Sequence, residues 1–88
     1  MMSDCKLLDV SALPPPEPME RILAAVEILV PGQYLRVLHR REPWPLFPIL
    51  EQRGFRYDMR ACRPPGFAIH IWRAADMAAE SAARNGGG

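Results

Sequence analysis

Two cysteines and two histidines are the residues of this 88-residue chain that could do nucleophilic, redox or metal chemistry. Cys5 and Cys62 are too far apart to form a CxxC redox pair, and two ligands do not make a four-ligand zinc site. His39 could act as a base or ligand, but neither it nor His70 has a cysteine or carboxylate at metal-ligand spacing. We therefore predict structural or surface histidines, no metal, no cofactor and no catalytic residue.

Arginine is the other residue type whose side chain could recognise a ligand. The chain contains 11 Lys and Arg residues, all Arg except Lys6. Arginine is well suited to forked recognition of carboxylate or phosphate, although base composition of the genome also favours it over lysine. The net charge of +1 provides no overall attraction to nucleic acid or to an anionic membrane. Any anion recognition must therefore be local.

Six elements would position these residues. A short apolar run predicts a strand over residues 6–10, and an apolar stripe at helical spacing predicts a helix that Pro31 and Gly32 stop. A β-forming segment follows at 33–39, and a short helix at about 45–52 ends before Gly54. Alternating patterns at 55–60 and 67–73, separated by "ACRPPG", predict a hairpin.

This β-α-β-α-β-β order predicts an α/β (α+β) two-layer sandwich, in which a four-stranded mixed sheet carries both helices on one face. The other sheet face would then be solvated or covered by a partner. We expect one domain over residues 6–73, a flexible N-terminus over 1–5 and a flexible Ala- and Gly-rich tail over 74–88.

Two loops are the candidate site, because the carboxyl ends of neighbouring parallel strands meet at one edge of a sheet. The loops "LPPPEP" and "HRREPW" would bring together Pro14, Pro15, Pro16, Glu17, His39, Arg40, Arg41 and Trp44. Rigid prolines beside Trp and Arg suit protein docking, and helix N-termini with arginines suit an anion. Alternatively, Glu17 pairs with Arg21, the two arginines pair with acids such as Glu42, and Trp44 packs under the loop.

The segment "LLDVSALPPPEPMERILAAVEIL" resembles the head of the TusA/SirA family of small bacterial sulfur-carrier proteins. That family's Leu-Asp-x3-Leu-x-Cys-Pro-x-Pro pattern is matched here by Leu8, Asp9, Leu13, Pro16, Glu17 and Pro18. The segments "LPPPEPMERIL" and "HRREPWPLFPILEQRGF" resemble more closely a branch of that superfamily formed by a domain of unknown function. The resemblance covers about residues 6–73 and implies the same two-layer sandwich.

Pro15 stands where that family has its catalytic cysteine. A sulfur carrier needs a thiolate to hold a persulfide, and proline has neither a nucleophile nor an ionisable group. Ser11, the one nearby hydroxyl, has no evident base in the sequence. The resemblance therefore implies the fold without the sulfur transfer.

We expect a non-enzymatic protein-binding or regulatory module that docks a bacterial partner protein through the two loops. One alternative is a sulfur-relay protein that uses Cys62 or Cys5. Another is RNA binding by the open sheet face, where Arg56, Arg60, His70 and Trp72 would surround Asp58.

The remaining expectations concern surroundings and assembly. The N-terminus lacks the pattern of a signal peptide, and no apolar stretch approaches 18 residues. We therefore expect a cytoplasmic protein without membrane association, present as a monomer or weak dimer and not dependent on nucleic acid.

Overall fold

The computed structural model describes residues 4–64 and 66–86. In these ranges the chain forms β1 (Cys5–Asp9), α1 (Glu17–Glu27), β2 (Tyr34–His39), α2 (Leu46–Gln52), β3 (Phe55–Ala61), β4 (Phe67–Arg73) and α3 (Met77–Asn85). The α+β class and the four-stranded mixed sheet are confirmed. The last helix, α3, lies in the Ala-rich segment for which the sequence predicts a flexible tail with at most a helical turn or two.

The sheet has the strand order β1-β2-β4-β3. β1 and β2 are parallel, because α1 carries the chain back between them, and β4 runs antiparallel to both of its neighbours. β1 and β3 are therefore the edge strands. The parallel pair places the ends of β1 and β2 at the same edge of the sheet.

The main core lies between one sheet face and the two helices α1 and α2. From the sheet it takes alternate residues of the central strands, including Leu35, Val37, Ile69 and Ile71. The helices contribute their apolar stripes, completely buried at Ile22, Val26, Leu46 and Leu50. Burial of a large aliphatic side chain contributes about 1.5–3 kcal/mol, so this layer supplies most of the fold's stability.

The opposite sheet face is covered by α3, which corrects the prediction of an open face. Ala79 and Ala83 pack against Tyr34 and Trp72 in a second buried cluster. His70 and Trp72 are each only 1% exposed, so they are not available to stack on RNA bases. This face therefore lacks the exposed aromatic surface that the RNA-binding alternative requires, and the described part of the chain has helices on both sides of its sheet.

Two hydrogen-bonded contacts hold α3 in place. At its start, Asp76 accepts a hydrogen bond from the amide of Ala79 at 3.0 Å and another from the amide of Gly32 at 2.8 Å. Near its end, Nδ1 of His70 donates to the carbonyl oxygen of Ala83 at 2.7 Å. The helix is thus capped by its own N-cap residue and joined to the turn before β2 and to β4.

The prediction of a flexible tail over residues 74–88 is likewise wrong for the nine residues of α3. Alanine has the highest helix propensity, and its small side chain lets a helix approach an aromatic surface closely. The predicted flexible segment 1–5 is also wrong at Cys5, which belongs to β1. Residues 1–3, 87 and 88 lie outside the described residues.

Arg73, at the end of β4, joins three elements. Its guanidinium donates to the carbonyl oxygens of Glu27 at 3.1 Å, Leu29 at 3.3 Å and Val26 at 3.5 Å. It also lies over the ring of Phe55, 5.3 Å from the centroid. The last carbonyls of a helix lack internal partners, so Arg73 serves as a C-terminal cap of α1 supplied by the sheet.

Candidate docking site

The ends of β1 and β2 bring two loops into contact. Asp9 pairs with Leu38 in the parallel register, and the amide of Val10 donates to the carbonyl oxygen of Leu38 at 3.0 Å. The chain then continues into residues 10–16, here called the proline loop, and from β2 into residues 40–45, here called the arginine loop. These segments are distant in sequence but adjacent in space.

A cavity of about 80 Å³ lies between the two loops. It is lined by Val10, Leu13, Pro15, Pro18, His39, Arg40 and Arg41. The structure thus brings Pro15, His39, Arg40 and Arg41 together. Pro14, Pro16, Glu17 and Trp44, which sequence reasoning placed in the same site, do not line the cavity.

Local hydrogen bonds shape the proline loop. The amide of Leu13 donates to Val10 at 3.1 Å and the amide of Glu17 to Pro14 at 3.0 Å, so two turns lead into α1. The Pro15–Pro16 peptide bond is cis. Prolines fix their own φ, so this loop presents a surface with little conformational freedom to lose on binding.

Ser11 donates to Oδ1 of Asp9 through both its hydroxyl, at 2.6 Å, and its amide, at 2.9 Å. These two hydrogen bonds hold the pKa of the Asp9 carboxyl below its usual value. A carboxylate of lowered pKa is a weak base, so the pair does not activate the hydroxyl as a nucleophile. Its role in the loop is structural.

His39 is half-buried and its ring is oriented by the arginine loop. Its Nδ1 accepts a hydrogen bond from the amide of Arg41 at 3.1 Å, so the neutral ring carries its proton on Nε2. Burial, followed by the charges of Arg40 and Arg41, lowers the pKa of the imidazole. His39 is therefore a neutral donor at neutral pH, suited to a carboxylate or carbonyl oxygen of a ligand.

Arg40 and Arg41 are exposed, and in the part of the chain that the structure describes neither forms an ion pair. The pairs considered from the sequence, Arg21 with Glu17 and Arg41 or Arg40 with Glu42, are absent from the same described residues. Gly66, in the turn between β3 and β4, packs closely against the backbone of Arg40. A Cβ atom on residue 66 would lie 3.1 Å from the carbonyl oxygen of Arg40. Two arginines thus flank the cavity, and the backbone of one of them is in close contact with Gly66.

Trp44 is 60% exposed and is supported by α2 rather than covered by the loop. Its ring meets Phe47 edge-on at 5.5 Å, and Phe47 stacks on Tyr57 at 4.1 Å. The interpretation in which Trp44 packs beneath the loop does not match this position. An exposed indole on a rigid aromatic base is typical of an anchor for a partner protein.

Neither helix start beside the loops is a good anion site. Pro16 precedes α1 and Pro45 precedes α2, and neither helix has a side-chain cap. Pro18 removes another amide from the first turn of α1, and Glu17 and Glu20 place negative charge there. The arginines, not the helix dipoles, supply the positive potential.

The two alternative thiols lie away from this cavity. Cys5 is half-buried in the cluster beneath α3, and Cys62 is half-buried after β3, with its amide bonded to Gly66. No disulfide joins them. Over residues 4–64 and 66–86 the structure contains no group of three metal-ligating side chains and no helix that could span a membrane.

Comparison with known proteins gives one family. No curated protein and no solved structure matches the chain. A family model described as "Uncharacterized conserved protein (DUF2249)" matches residues 7–73, which include both loops, the last three residues of β1 and all of β2, β3 and β4, but end before α3. The chain therefore belongs to the DUF2249 family of uncharacterized conserved proteins.

Proposed function

We propose that the chain is a non-enzymatic protein-binding or regulatory module, with a TusA-like fold, that docks another bacterial protein through the proline and arginine loops. The observation that supports this is the shared cavity, in which Pro15 and Leu13 lie opposite Arg40 and Arg41. Both loops fall within the family match. The position of a sulfur carrier's cysteine is occupied by Pro15, so docking replaces sulfur transfer in this proposal.

The chemistry of the site suits a short acidic segment of a partner. The cavity floor is apolar and has room for one small aliphatic side chain, while Arg40 and Arg41 would bind carboxylates beside it. Trp44 adds an exposed aromatic anchor at the end of the arginine loop. Pro15 and Pro18 in the cavity lining fix their own φ and lose little entropy on binding, which favours recognition by a small surface.

The test is quantitative affinity capture from the source lysate with the protein as bait. The site variant is Arg41→Ala with Trp44→Ala, and the matched control is Arg53→Ala with Met77→Ala, an exposed arginine and an 83%-exposed apolar residue remote from the cavity. We expect a specific partner with the parent and control chains and at least a tenfold reduction with the site variant, about 1.4 kcal/mol. Equal capture by all three chains would overturn this docking face.

A further inference from the structure

β3 is an unprotected edge of the sheet. Its seven residues contain no proline, and of the described strands only β4 lies beside it. Proteins commonly protect such edges with proline, bulges or a covering element, since an open row of amides and carbonyls pairs with other chains. The charged side chains of β3, Arg56, Asp58 and Arg60, alternate in sign, so they do not repel a second copy of the strand in every register. The opposite edge, β1, is shorter.

The β3–β4 register determines which backbone groups of β3 point outwards. Gly54 accepts from the amide of Ala74, and the amide of Cys62 donates to Gly66, so the even-numbered residues of β3 face β4. Antiparallel pairs alternate between hydrogen-bonded and non-bonded residues. The amides and carbonyls of Phe55, Tyr57 and Met59 therefore point away from the sheet.

Space for another strand exists along this edge. An open groove of about 550 Å³ lies beside the first half of β3, and its lining includes Arg56, Tyr57, Glu51 of α2 and Arg84 of α3. Helices cover both faces of the sheet, so its edges are the surfaces that remain for pairing with another strand. Of the three residues with outward backbone groups, Tyr57 and Met59 are partly exposed, whereas Phe55 is 3% exposed.

We propose that β3 pairs antiparallel with β3 of a second copy of this chain, about a two-fold axis at Tyr57, and forms a continuous eight-stranded sheet. In this register Tyr57 lies opposite Tyr57 of the second copy, and Phe55 lies opposite Met59 of the second copy. All of these are residues with outward-pointing backbone groups, as a hydrogen-bonded antiparallel pair requires. The contact is self-complementary, as a two-fold interface must be.

Charge supports this register. The side chains of Arg56, Asp58 and Arg60 alternate in sign along the α3 side of β3. A two-fold axis at Tyr57 places each Arg56 opposite Asp58 of the other copy, which makes two attractive cross-strand pairs. An axis one residue further, at Asp58, would place the two Asp58 side chains opposite each other and each Arg56 opposite Arg60.

The existing contacts favour the same register over an axis at Met59, which would pair Asp58 with Arg60 of the other copy. Arg60 is already engaged, by Asp58 of its own strand at 2.9 Å and by the carbonyl oxygen of Arg84 at 3.3 Å. The side chain of Arg56 is 62% exposed and has one long contact, 3.9 Å to Glu80. Arg56 is therefore the arginine available to a second copy. Asp58 uses Oδ2 for its pair with Arg60, so its Oδ1 can accept from Arg56 of the second copy.

The test uses two charge reversals whose effects cancel only in a mixed dimer. The substitution Arg56→Glu places two negative charges opposite each other wherever it meets Asp58 across the axis. The substitution Asp58→Lys likewise places two positive charges opposite each other wherever it meets Arg56. When the two variants are mixed, each heterodimer has one native pair and one pair of reversed charges, and both of these pairs are attractive.

Analytical ultracentrifugation measures the association of each chain. We expect a concentration-dependent dimer for the parent chain, a dimer at least tenfold weaker for each variant alone, and recovery in the mixture. The control variant Arg21→Glu, at an exposed arginine of α1 away from β3, should dimerise as the parent chain does. A mixture that stays as weak as the separate variants would overturn the register.

A second measurement needs no variant and applies even if a charge reversal perturbs folding. Hydrogen exchange of the Phe55, Tyr57 and Met59 amides should slow as the parent concentration rises, while amides on the outer edge of β1 remain unchanged. A parent chain that is monomeric up to about 1 mM would overturn the proposal. So would a dimer in which these three amides gain no protection, since another surface would then form the contact.

Discussion

His70 carries two hydrogen bonds on the buried face between β4 and α3. Its Nδ1 donates to Ala83, and its Nε2 accepts from Arg36 at 3.0 Å, an arrangement that requires the neutral ring. Burial is the main cause that lowers the pKa of His70, and the hydrogen bond to Ala83 is the main effect that opposes it. The nearby charges of Arg36 and Arg60 lower the pKa further, and Asp58 raises it slightly. Protonation would replace the Arg36 hydrogen bond with the repulsion of two cations.

This arrangement predicts a loss of stability in mild acid. The pKa of His70 is lower in the folded chain than its value of about 6.5 in the unfolded chain, so the unfolded state binds more protons once the pH falls towards and below 6.5. The stabilisation is complete above that pH and is lost as the pH falls, with a slope of at most about 1.4 kcal/mol per pH unit per histidine. Urea unfolding from about pH 8 to about pH 5 measures this pH dependence of the free energy of unfolding.

The matched variants are His70→Asn, which retains a donor for Ala83, and His39→Asn. The pKa of His39 is also lowered, so the parent slope contains both contributions. We expect His70→Asn to be less stable than the parent chain at neutral pH and to have a smaller slope. A parent stability that is constant or increases towards pH 5 (about one and a half units below the unfolded value) contradicts the assignment.

At the scale of elements, α3 depends on Asp76. Its carboxylate caps the helix and bonds the amide of Gly32 in the turn before β2, and these hydrogen bonds lower the pKa of Asp76. The helix itself contributes two buried alanines, Ala79 and Ala83. A nine-residue helix is not stable alone, so its formation depends on this docking.

We therefore predict that Asp76→Ala releases α3 and exposes Trp72, whereas Asp76→Asn, which keeps a cap acceptor, has a smaller effect. In a Trp44→Phe background, the emission of Trp72 should shift to longer wavelength, and helical circular dichroism should decrease. An unchanged emission maximum in Asp76→Ala would show that the cap is not required for docking.

The same helix shows what the sequence could and could not predict. The four strands, α1 and α2 follow from periodicity and turn residues, because each buries a face of large apolar side chains. In α3 the size of the side chain decides the buried face: Ala79 and Ala83 are fully buried, whereas Met77 is 83% exposed. A hydrophobicity pattern cannot indicate that choice, and the polar Asp76 contact with Gly32 spans 44 residues.

For the site, strand order predicts which loops meet but not where their side chains point. Parallel pairing of β1 and β2 brings Pro15 next to Arg40 and Arg41. Trp44 instead packs against Phe47 of α2, because the loop ends in a turn in which the amide of Phe47 donates to the carbonyl oxygen of Trp44. Such local hydrogen bonding depends on the folded backbone and has no signature in the spacing.

At the scale of the molecule, Arg73 links α1 to the sheet. Replacing it with methionine keeps most of the aliphatic stem but removes the hydrogen bonds to the end of α1 and the contact with Phe55. We predict a loss of about 1–3 kcal/mol in the free energy of unfolding. Arg53→Met, which removes one exposed ion pair of 3.7 Å with Glu27, should cost less than about 1 kcal/mol. Equal losses in denaturant titrations would contradict this role.

The close contact between Gly66 and Arg40 has a consequence for how the protein's affinity could be adjusted. Gly66 has φ of 145° and supports the arginine loop from the β3–β4 turn, a segment that need not touch any partner. A side chain at this position would move the Arg40 backbone by a few tenths of an ångström or strain the turn. If the chain docks a partner as proposed, substitutions at position 66 would alter that recognition without changing any residue of the two loops, whether in natural sequence divergence or in deliberate engineering.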